Sequence, residues 1–211
     1  MDLGDLRSDY ISQELRRKDL LINPLEQFQA WLQDAQKAQV PEPNAMVLAT
    51  CKKTGFPSTR TVLLKQVDES GLIFFTNYES RKAKEIEENP QVSATFLWKA
   101  LERQVVIQGT AKKTSREISE KYFARRPRQS QLGAAASQQG TIISSRTVLE
   151  EEYARLDKLY GNSEVPCPKF WGGFIIKPNY YEFWQGRPNR LHDRFKYQFS
   201  DGQWVIERLA P

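Results

Sequence analysis

Short segments of alternating apolar and polar residues, separated by turn-forming dipeptides, most constrain the fold of this chain. Thr54-Gly55, Ser70-Gly71 and Asp201-Gly202 each fall between two such segments, and dipeptides of this kind favour tight β-hairpin turns. Parallel strands need crossover connections of a dozen or more residues, so the short connections indicate antiparallel pairing. The predicted strands are 45–52, 58–67, 71–77, 91–99, 101–113, 170–177, 180–186, 193–199 and 203–209.

Helical segments lie before and between the two groups of strands. Asn23-Pro24 is a typical helix start, because Asn caps the free amides and Pro suits the first helical position. Further helices are predicted over 80–88, 116–126 and 146–160. This order of elements predicts a mainly β fold with outer helices (α+β), arranged as a small closed or split antiparallel barrel.

The first 22 residues differ from the rest of the chain in being polar with weak periodicity. They predict a mobile N-terminal arm, helical over 10–21, that could serve as a lid. Residues 23–211 are predicted to form a single domain with a helical insertion around 115–161.

The inventory of reactive side chains excludes several classes of protein. His192 is the one histidine, and Cys51 and Cys167 lie far apart, so no zinc site of histidine and cysteine ligands can be assembled. Free cysteines fit a reducing cytoplasm. No stretch approaches ~18 apolar residues, and the N-terminus lacks the apolar core of a secretory signal. Glycine-rich phosphate loops and the common hydrolase motifs are also missing from the sequence.

The net charge of +5 leaves two interpretations open: a solvated basic surface, or a site for nucleic acid or a phosphorylated small molecule. The positions of the cations carry more information. Arg60 and Lys65 have opposite parity on a predicted strand, so they could serve two adjacent anions, although a cation on a strand can also protect a sheet edge. Arg81 and Lys82 occupy the first turn of a predicted helix, where the helix dipole favours an anion. Two interpretations are open: these cations bind a phosphate, or they face solvent.

Two further cation clusters combine charge with aromatic or hydroxyl groups. Tyr122, Arg126 and Ser130 together suit a phosphate monoester, although a basic helix end is the simpler alternative. Arg190, His192 and Arg194 share one strand face by parity, and such cations repel each other unless an anion lies among them. This last cluster is predicted to be a site.

Five collinear motifs carry a family resemblance: RTVLLK (60–65), SRK (80–82), LERQ (101–104), YFARRPRQSQ (122–131) and EFWQGRPNRLHDR (182–194). In this order the chain resembles the pyridoxamine 5′-phosphate oxidase family, from about residue 7 to its C-terminus. The resemblance implies an FMN-binding split β-barrel that works as a homodimer with each flavin shared between subunits. It also implies oxidation of pyridoxamine or pyridoxine 5′-phosphate to pyridoxal 5′-phosphate, by hydride transfer from C4′ to flavin N5, with dioxygen as acceptor and hydrogen peroxide as product.

The resemblance also implies roles for individual residues. FMN would be bound by Arg60, Thr61, Val62, Leu63, Leu64, Lys65, Phe75, Thr76, Arg81, Lys82, Gln104, Gln139, Gly140, Trp184 and Arg194. Substrate would be bound by Arg7, Tyr10, Lys65, Tyr122, Arg126, Ser130, Arg190, Leu191 and His192, of which Arg190 and His192 would be catalytic. Phe75 and Gly140 depart from the tyrosine and serine of the family pattern, which implies a modest change in FMN affinity.

Two rival interpretations remain: a flavin- or haem-binding barrel without oxidase activity, and a basic nucleic-acid-binding module. A barrel that only binds a cofactor has no use for Tyr122, Arg126 and Ser130 together. The sequence therefore favours the oxidase, located in the cytoplasm, with no metal and no nucleic-acid or membrane partner.

Overall fold

The computed structural model describes residues 1–5, 9–11 and 14–211. Within these ranges the chain folds around one nine-stranded antiparallel sheet and five α-helices. The strands are β1 Ala45–Cys51, β2 Pro57–Leu63, β3 Gln66–Asp68, β4 Gly71–Asn77, β5 Gln91–Trp98, β6 Arg103–Lys113, β7 Trp171–Gln185, β8 Asp193–Ser200 and β9 Gln203–Leu209. The helices are α1 Pro24–Lys37, α2 Arg81–Glu88, α3 Arg116–Ala124, α4 Arg128–Ala136 and α5 Arg146–Tyr160, with single 3-10 turns at Arg17–Asp19, Lys99–Leu101 and Pro188–Arg190.

Strand β7 is the strand that pairs with three others, β6, β4 and β8. One edge of β7 pairs with β6 along its length, with a register shift between Gln108 and Gly109. The other edge pairs first with β4 and then with β8, which in turn pairs with β9. The sheet also curls: the amide of Leu64 donates to Asn44 and that of Lys65 donates to Ile73, which joins the β1–β2 end to the β3–β4 end. The antiparallel split barrel with outer helices is therefore confirmed.

The core lies inside this curl and is closed by α1. Asn23 caps α1 by accepting a hydrogen bond from the Leu25 amide, and Pro24 occupies the first helical position. Trp31 packs edge-on against Phe183 of β7, with ring centroids 5.2 Å apart. A smaller apolar cluster lies beneath α3–α5 and contains Phe123, Leu132, Leu156, Val165 and Trp171.

Three predictions about individual elements were wrong. The strand predicted over 58–67 is two strands, because the chain turns at Leu64 and Lys65 to join the ends of the sheet. The strands predicted over 170–177 and 180–186 are one, because the register shift in β6 lets the ladder continue past Pro178.

The third wrong prediction concerns the arm. The helix predicted over 10–21 is reduced, in the described residues, to the single turn Arg17–Asp19. Two backbone amides of the arm bind side chains of the barrel: Ile11 donates to Glu102 and Leu15 donates to Asp193. No described helix is long and apolar enough to cross a membrane.

Gly71, at the start of β4, provides a test of a close backbone approach in the barrel. Its φ is +137°, and a Cβ atom there would lie 2.2 Å from the carbonyl oxygen of Ile176. Gly71→Ala is expected to lower the free energy of unfolding by about 3 kcal/mol in urea titration. Gly55→Ala is the control, because Gly55 also has a positive φ but no atom within 4 Å; its cost should be only about 1 kcal/mol. Equal losses would contradict the steric explanation.

Candidate functional site

A cleft of about 1090 Å³ lies between β2, the first turn of α2, and the α3–α4 segment. It brings together three of the four cation clusters found in the sequence. The predicted site residues that line it are Arg60, Thr61, Val62, Leu63, Lys65, Phe75, Thr76, Arg81, Lys82, Tyr122, Arg126, Ser130, Gln139 and Gly140. Leu64 does not line it, since its side chain is buried in the barrel core.

The start of α2 presents to this cleft a cation that has no charged partner among the described residues. The Ser80 hydroxyl donates to the Asn77 carbonyl oxygen and does not cap the helix. The Lys82 ammonium donates to Gln139 at 2.7 Å, Thr76 at 3.1 Å and Ser80 at 3.2 Å, all neutral groups. Burial, together with repulsion from Arg60, lowers the pKa of Lys82 to about 8. A bound anion would stabilise the charged form and raise that pKa again.

A second such cation lies where α3 ends. The Arg126 guanidinium lies over the Trp171 ring, 4.8 Å from its centroid, and its Nη1 atom is buried with no hydrogen-bond partner in the part of the chain that the structure describes. Burial lowers the pKa of Arg126. A buried N–H group without a partner carries the full cost of losing water, so this atom fits a ligand oxygen.

An aromatic wall adjoins Arg126. The rings of Phe75 and Tyr122 are stacked 4.0 Å apart, and Trp171 continues the parallel stack 5.5 Å from Phe75. Burial raises the pKa of Tyr122, so its hydroxyl stays protonated and can donate. Sequence reasoning missed Trp171, which reads as an ordinary core residue at the start of a strand.

A buried carboxylate, also missed from sequence, lies behind the cations. Glu85 accepts hydrogen bonds from the Thr50 and Ser58 hydroxyls, from Arg81 at 2.8 Å and from Arg60 at 3.3 Å. The available signal was its position four residues after Arg81 on α2, which is typical of ordinary surface pairs too.

The remaining predicted residues form a second group outside this cleft. Tyr10 packs edge-on against Trp184 and His192, with ring centroids 5.5 and 5.1 Å away. Gln104 and Arg194 flank Trp184 on the neighbouring strands β6 and β8. Arg190 and Leu191 lie in the exposed connection before β8. Arg7 lies outside the described residues.

The prediction that Arg190, His192 and Arg194 share one strand face was wrong. Strand β8 begins only at Asp193, and Asn189 and Arg190 both have positive φ, so alternation does not apply before it. Arg194 alone is on the strand, where it pairs with Glu182 and donates to the Ala210 carbonyl.

The His192 ring has a defined hydrogen-bonding state. Its Nδ1 atom accepts from the Arg187 amide at 3.1 Å. Burial, with the charge of Arg190, lowers the pKa of His192. The ring is therefore neutral near pH 7 and carries its proton on Nε2, which makes Nε2–H a donor.

The fold and the cleft define a split-barrel protein with a cation-lined site suited to phosphorylated ligands. The described residues include no cluster of three or more His, Cys, Asp or Glu side chains that could hold a metal ion. The comparisons with known proteins agree with this class and narrow it.

Residues 32–160 match a family model described as "Pyridoxamine 5′-phosphate oxidase", and residues 171–211 match "Pyridoxine 5′-phosphate oxidase C-terminal dimerisation region". The chain belongs to the pyridoxamine 5′-phosphate oxidase family. A relative from Crocosphaera subtropica, named "Pyridoxine/pyridoxamine 5′-phosphate oxidase", is 56% identical with 100% of both chains covered. One from Rippkaea orientalis with the same name is 53% identical, also over 100% of both.

Among solved structures, PhzG from Burkholderia lata, in complex with tetrahydrophenazine-1-carboxylic acid, superposes with a TM-score of 0.90. It is 29% identical, and the match covers 95% of this chain and 99% of that one. The family is one of oxidoreductases, so this chain is an enzyme of that type.

Proposed function

We propose that this protein is an FMN-dependent oxidase that converts pyridoxamine 5′-phosphate and pyridoxine 5′-phosphate to pyridoxal 5′-phosphate. One observation carries the proposal: a single cleft contains two cations, Lys82 and Arg126, in separate surroundings, and neither has a carboxylate partner within residues 1–5, 9–11 and 14–211. Two phosphoryl groups, one on FMN and one on the substrate, would satisfy both. The names of the full-length relatives support a phosphorylated substrate, pyridoxine or pyridoxamine 5′-phosphate.

The residues of the cleft divide between the two ligands. Arg60, Arg81 and Lys82 surround the start of α2, where the free amides also favour a phosphate, and we assign them to FMN. Tyr122, Arg126 and Ser130 provide a charged fork and two hydroxyl donors at the α3–α4 junction, and with Lys65 we assign them to the substrate phosphate. Charge-assisted hydrogen bonds of this kind contribute roughly 1.5–3 kcal/mol each.

When bound, FMN would supply the redox chemistry, a two-electron oxidation of the substrate at C4′ with dioxygen as the final acceptor, which gains two electrons and two protons to become hydrogen peroxide. With pyridoxamine 5′-phosphate, water would hydrolyse the oxidised carbon–nitrogen bond, and the nitrogen would leave as ammonia. The protein holds the two ligands in a reactive arrangement and prevents unreactive arrangements of the same two ligands. Arg190 orients the substrate and stabilises charge that develops during transfer. His192 donates its Nε2–H to the substrate, because Nδ1 is already occupied by the Arg187 amide.

The second group of residues requires a homodimer with shared sites. Trp171 lines the cleft and Trp184 lies 13 residues further along the same strand, so about 40 Å of extended chain separates them at ~3.3 Å per residue. Trp184, Arg190, His192 and Arg194 therefore complete the partner's cleft, and the family's dimerisation region spans them. Tyr10 would bring the N-terminal arm over that position as a lid. Both cysteines are free, as in cytoplasmic proteins.

Turnover of the purified chain with FMN tests the proposal directly. Pyridoxamine 5′-phosphate should yield equal amounts of aldehyde and peroxide, and pyridoxamine without phosphate should be a poor substrate. A yellow protein with no peroxide release would favour the barrel that only binds flavin. A colourless protein that binds nucleic acid in a salt-dependent way would favour the other rival.

Lys82 gives FMN binding a specific pH dependence. The free cleft holds Lys82 with a pKa of about 8, and the bound phosphate requires the charged form. Above pH 8 the ammonium loses its proton, so FMN affinity should fall by up to about tenfold per pH unit, and binding near pH 9 should take up a proton. Calorimetry in two buffers of different ionisation enthalpy measures this uptake. Lys82→Met should remove it, and uptake that persists in the variant would assign the proton to another group.

A further inference from the structure

Glu85 is a buried ionisable group to which the proposed function gives no role. The residue is 1% exposed. Its carboxylate accepts hydrogen bonds from three separate elements: Thr50 on β1, Ser58 and Arg60 on β2, and Arg81 one turn earlier on α2. It therefore ties the first turn of α2 to the strands that form one wall of the cleft.

Glu85 is ionised at neutral pH. Burial raises its pKa, but the hydrogen bonds from Ser58, Thr50 and Arg81 outweigh burial and hold the pKa at about 2. Its one negative charge offsets part of the charge on Arg60, Arg81 and Lys82, which leaves two positive charges at this end of the cleft. A phosphate monoester carries about −1.5 to −2 near pH 7, so the remaining charge matches one phosphate.

The two arginines that contact Glu85 are used differently. Arg60 turns its terminal nitrogens inward: Nη1 donates to Leu48 and Thr50, and Nη2 donates to Ser58 and Glu85. Arg81 donates to Glu85 only through Nε. Its two terminal nitrogens have no hydrogen-bond partner in the described part of the chain, and its side chain is 60% exposed. Glu85 thus holds Arg81 by its inner edge and leaves the outer fork open to the cleft.

We propose that Glu85 is a positioning residue for the FMN phosphate, and that it acts by fixing the Arg81 guanidinium so that its terminal nitrogens meet the phosphate oxygens. This inference rests on the proposed function, because it takes the anion at the start of α2 to be the phosphate of FMN. A long arginine side chain that is free in solution loses rotamer freedom on binding; one already held at Nε loses less.

Binding of FMN compared with riboflavin, which lacks the phosphate, separates positioning from general stability. Glu85→Gln keeps the size of the side chain and removes its charge. The variant is expected to bind FMN about tenfold more weakly, with riboflavin affinity unchanged within about twofold, as measured by quenching of flavin fluorescence. Glu87→Gln is the matched control, since Glu87 lies on the same helix but pairs with Lys113; it should change neither affinity.

Arg81→Met tests whether Glu85 acts through Arg81. In the Arg81→Met background, Glu85→Gln should cause little further loss of FMN affinity. The effects of the two substitutions on FMN affinity should therefore not add. Thr50→Val, at a buried position outside the cleft, removes one hydrogen bond to Glu85 and one that Thr50 accepts from Arg60. Made both alone and with Arg81→Met, it provides a test if Glu85→Gln does not fold, because only an effect that passes through Glu85 and Arg81 disappears in the Arg81→Met background. Thr50→Val alone should weaken FMN binding by about threefold and leave riboflavin affinity unchanged.

Several results would overturn the positioning role. Equal losses of FMN and riboflavin would make Glu85 merely structural, and additive effects with Arg81→Met would separate it from Arg81. Unchanged FMN binding in Glu85→Gln would show that Glu85 does not position Arg81 for the phosphate. Tighter FMN binding would show that the negative charge of Glu85 opposes the phosphate. Failure of the proposed function looks different: the unmodified protein itself would bind FMN no better than riboflavin.

Discussion

Arg126→Met is expected to raise the KM for pyridoxamine 5′-phosphate by about 10- to 100-fold, with little change in FMN affinity. The Nη1 atom of Arg126 is buried without a partner, and its guanidinium rests against the Trp171 ring, so its loss of water has already occurred before substrate binds. Methionine keeps the contact with the ring and removes the charge. The FMN cations lie at the start of α2 and do not contact Arg126, so the two effects should separate.

Steady-state kinetics with two substrates and one control variant check this expectation. Lys121→Met removes a cation from α3, the helix that ends two residues before Arg126, at an exposed position outside the cleft, and it should leave KM unchanged. Pyridoxamine without phosphate should be turned over by Arg126→Met as poorly as by the parent protein. If Arg126→Met lost FMN in proportion to substrate affinity, the assignment of Arg126 to the substrate phosphate would be wrong.

The cation clusters could be predicted from the sequence because they depend only on residue type and on spacing along the chain. Arg81 and Lys82 oppose the helix dipole, Tyr122 and Arg126 are four residues apart across the end of α3, and both pairs line the cleft. The antiparallel barrel followed from turn chemistry in the same way, for example at Asp201-Gly202, where both residues have positive φ.

What could not be predicted depends on tertiary context. Nothing in an i,i+4 pair of Arg81 and Glu85 shows that one partner is buried beneath two strands. The parity argument for Arg190 and His192 required a strand to begin earlier than it does, and the two consecutive positive φ values at Asn189 and Arg190 leave no periodic signature. Sequence motifs also do not show which residues meet within one chain, and this matters most for the two halves of the site.

Heterodimers carrying one defect in each chain should be active although both parent homodimers are inactive. Lys82→Met with Arg126→Met disables the cleft. Neither cation has a carboxylate partner among the residues that the structure describes, so their removal leaves none of those carboxylates unpaired. Arg190→Ala disables the other half from an exposed loop and should lower turnover far more than FMN content. Two affinity tags isolate the heterodimer, which has one intact shared site out of two and should show about half the parent activity.

The reciprocal heterodimer makes the test decisive. It pairs an unmodified chain with one that carries all three substitutions. If the clefts are shared, each of its sites combines one sound half with one defective half, so it should be inactive despite containing an intact chain. If each chain completes its own cleft, the results reverse: this heterodimer keeps about half the activity, and the first has none. The roughly 40 Å of extended strand between Trp171 and Trp184 favours the shared arrangement, since it places the two groups of site residues at opposite ends of β7.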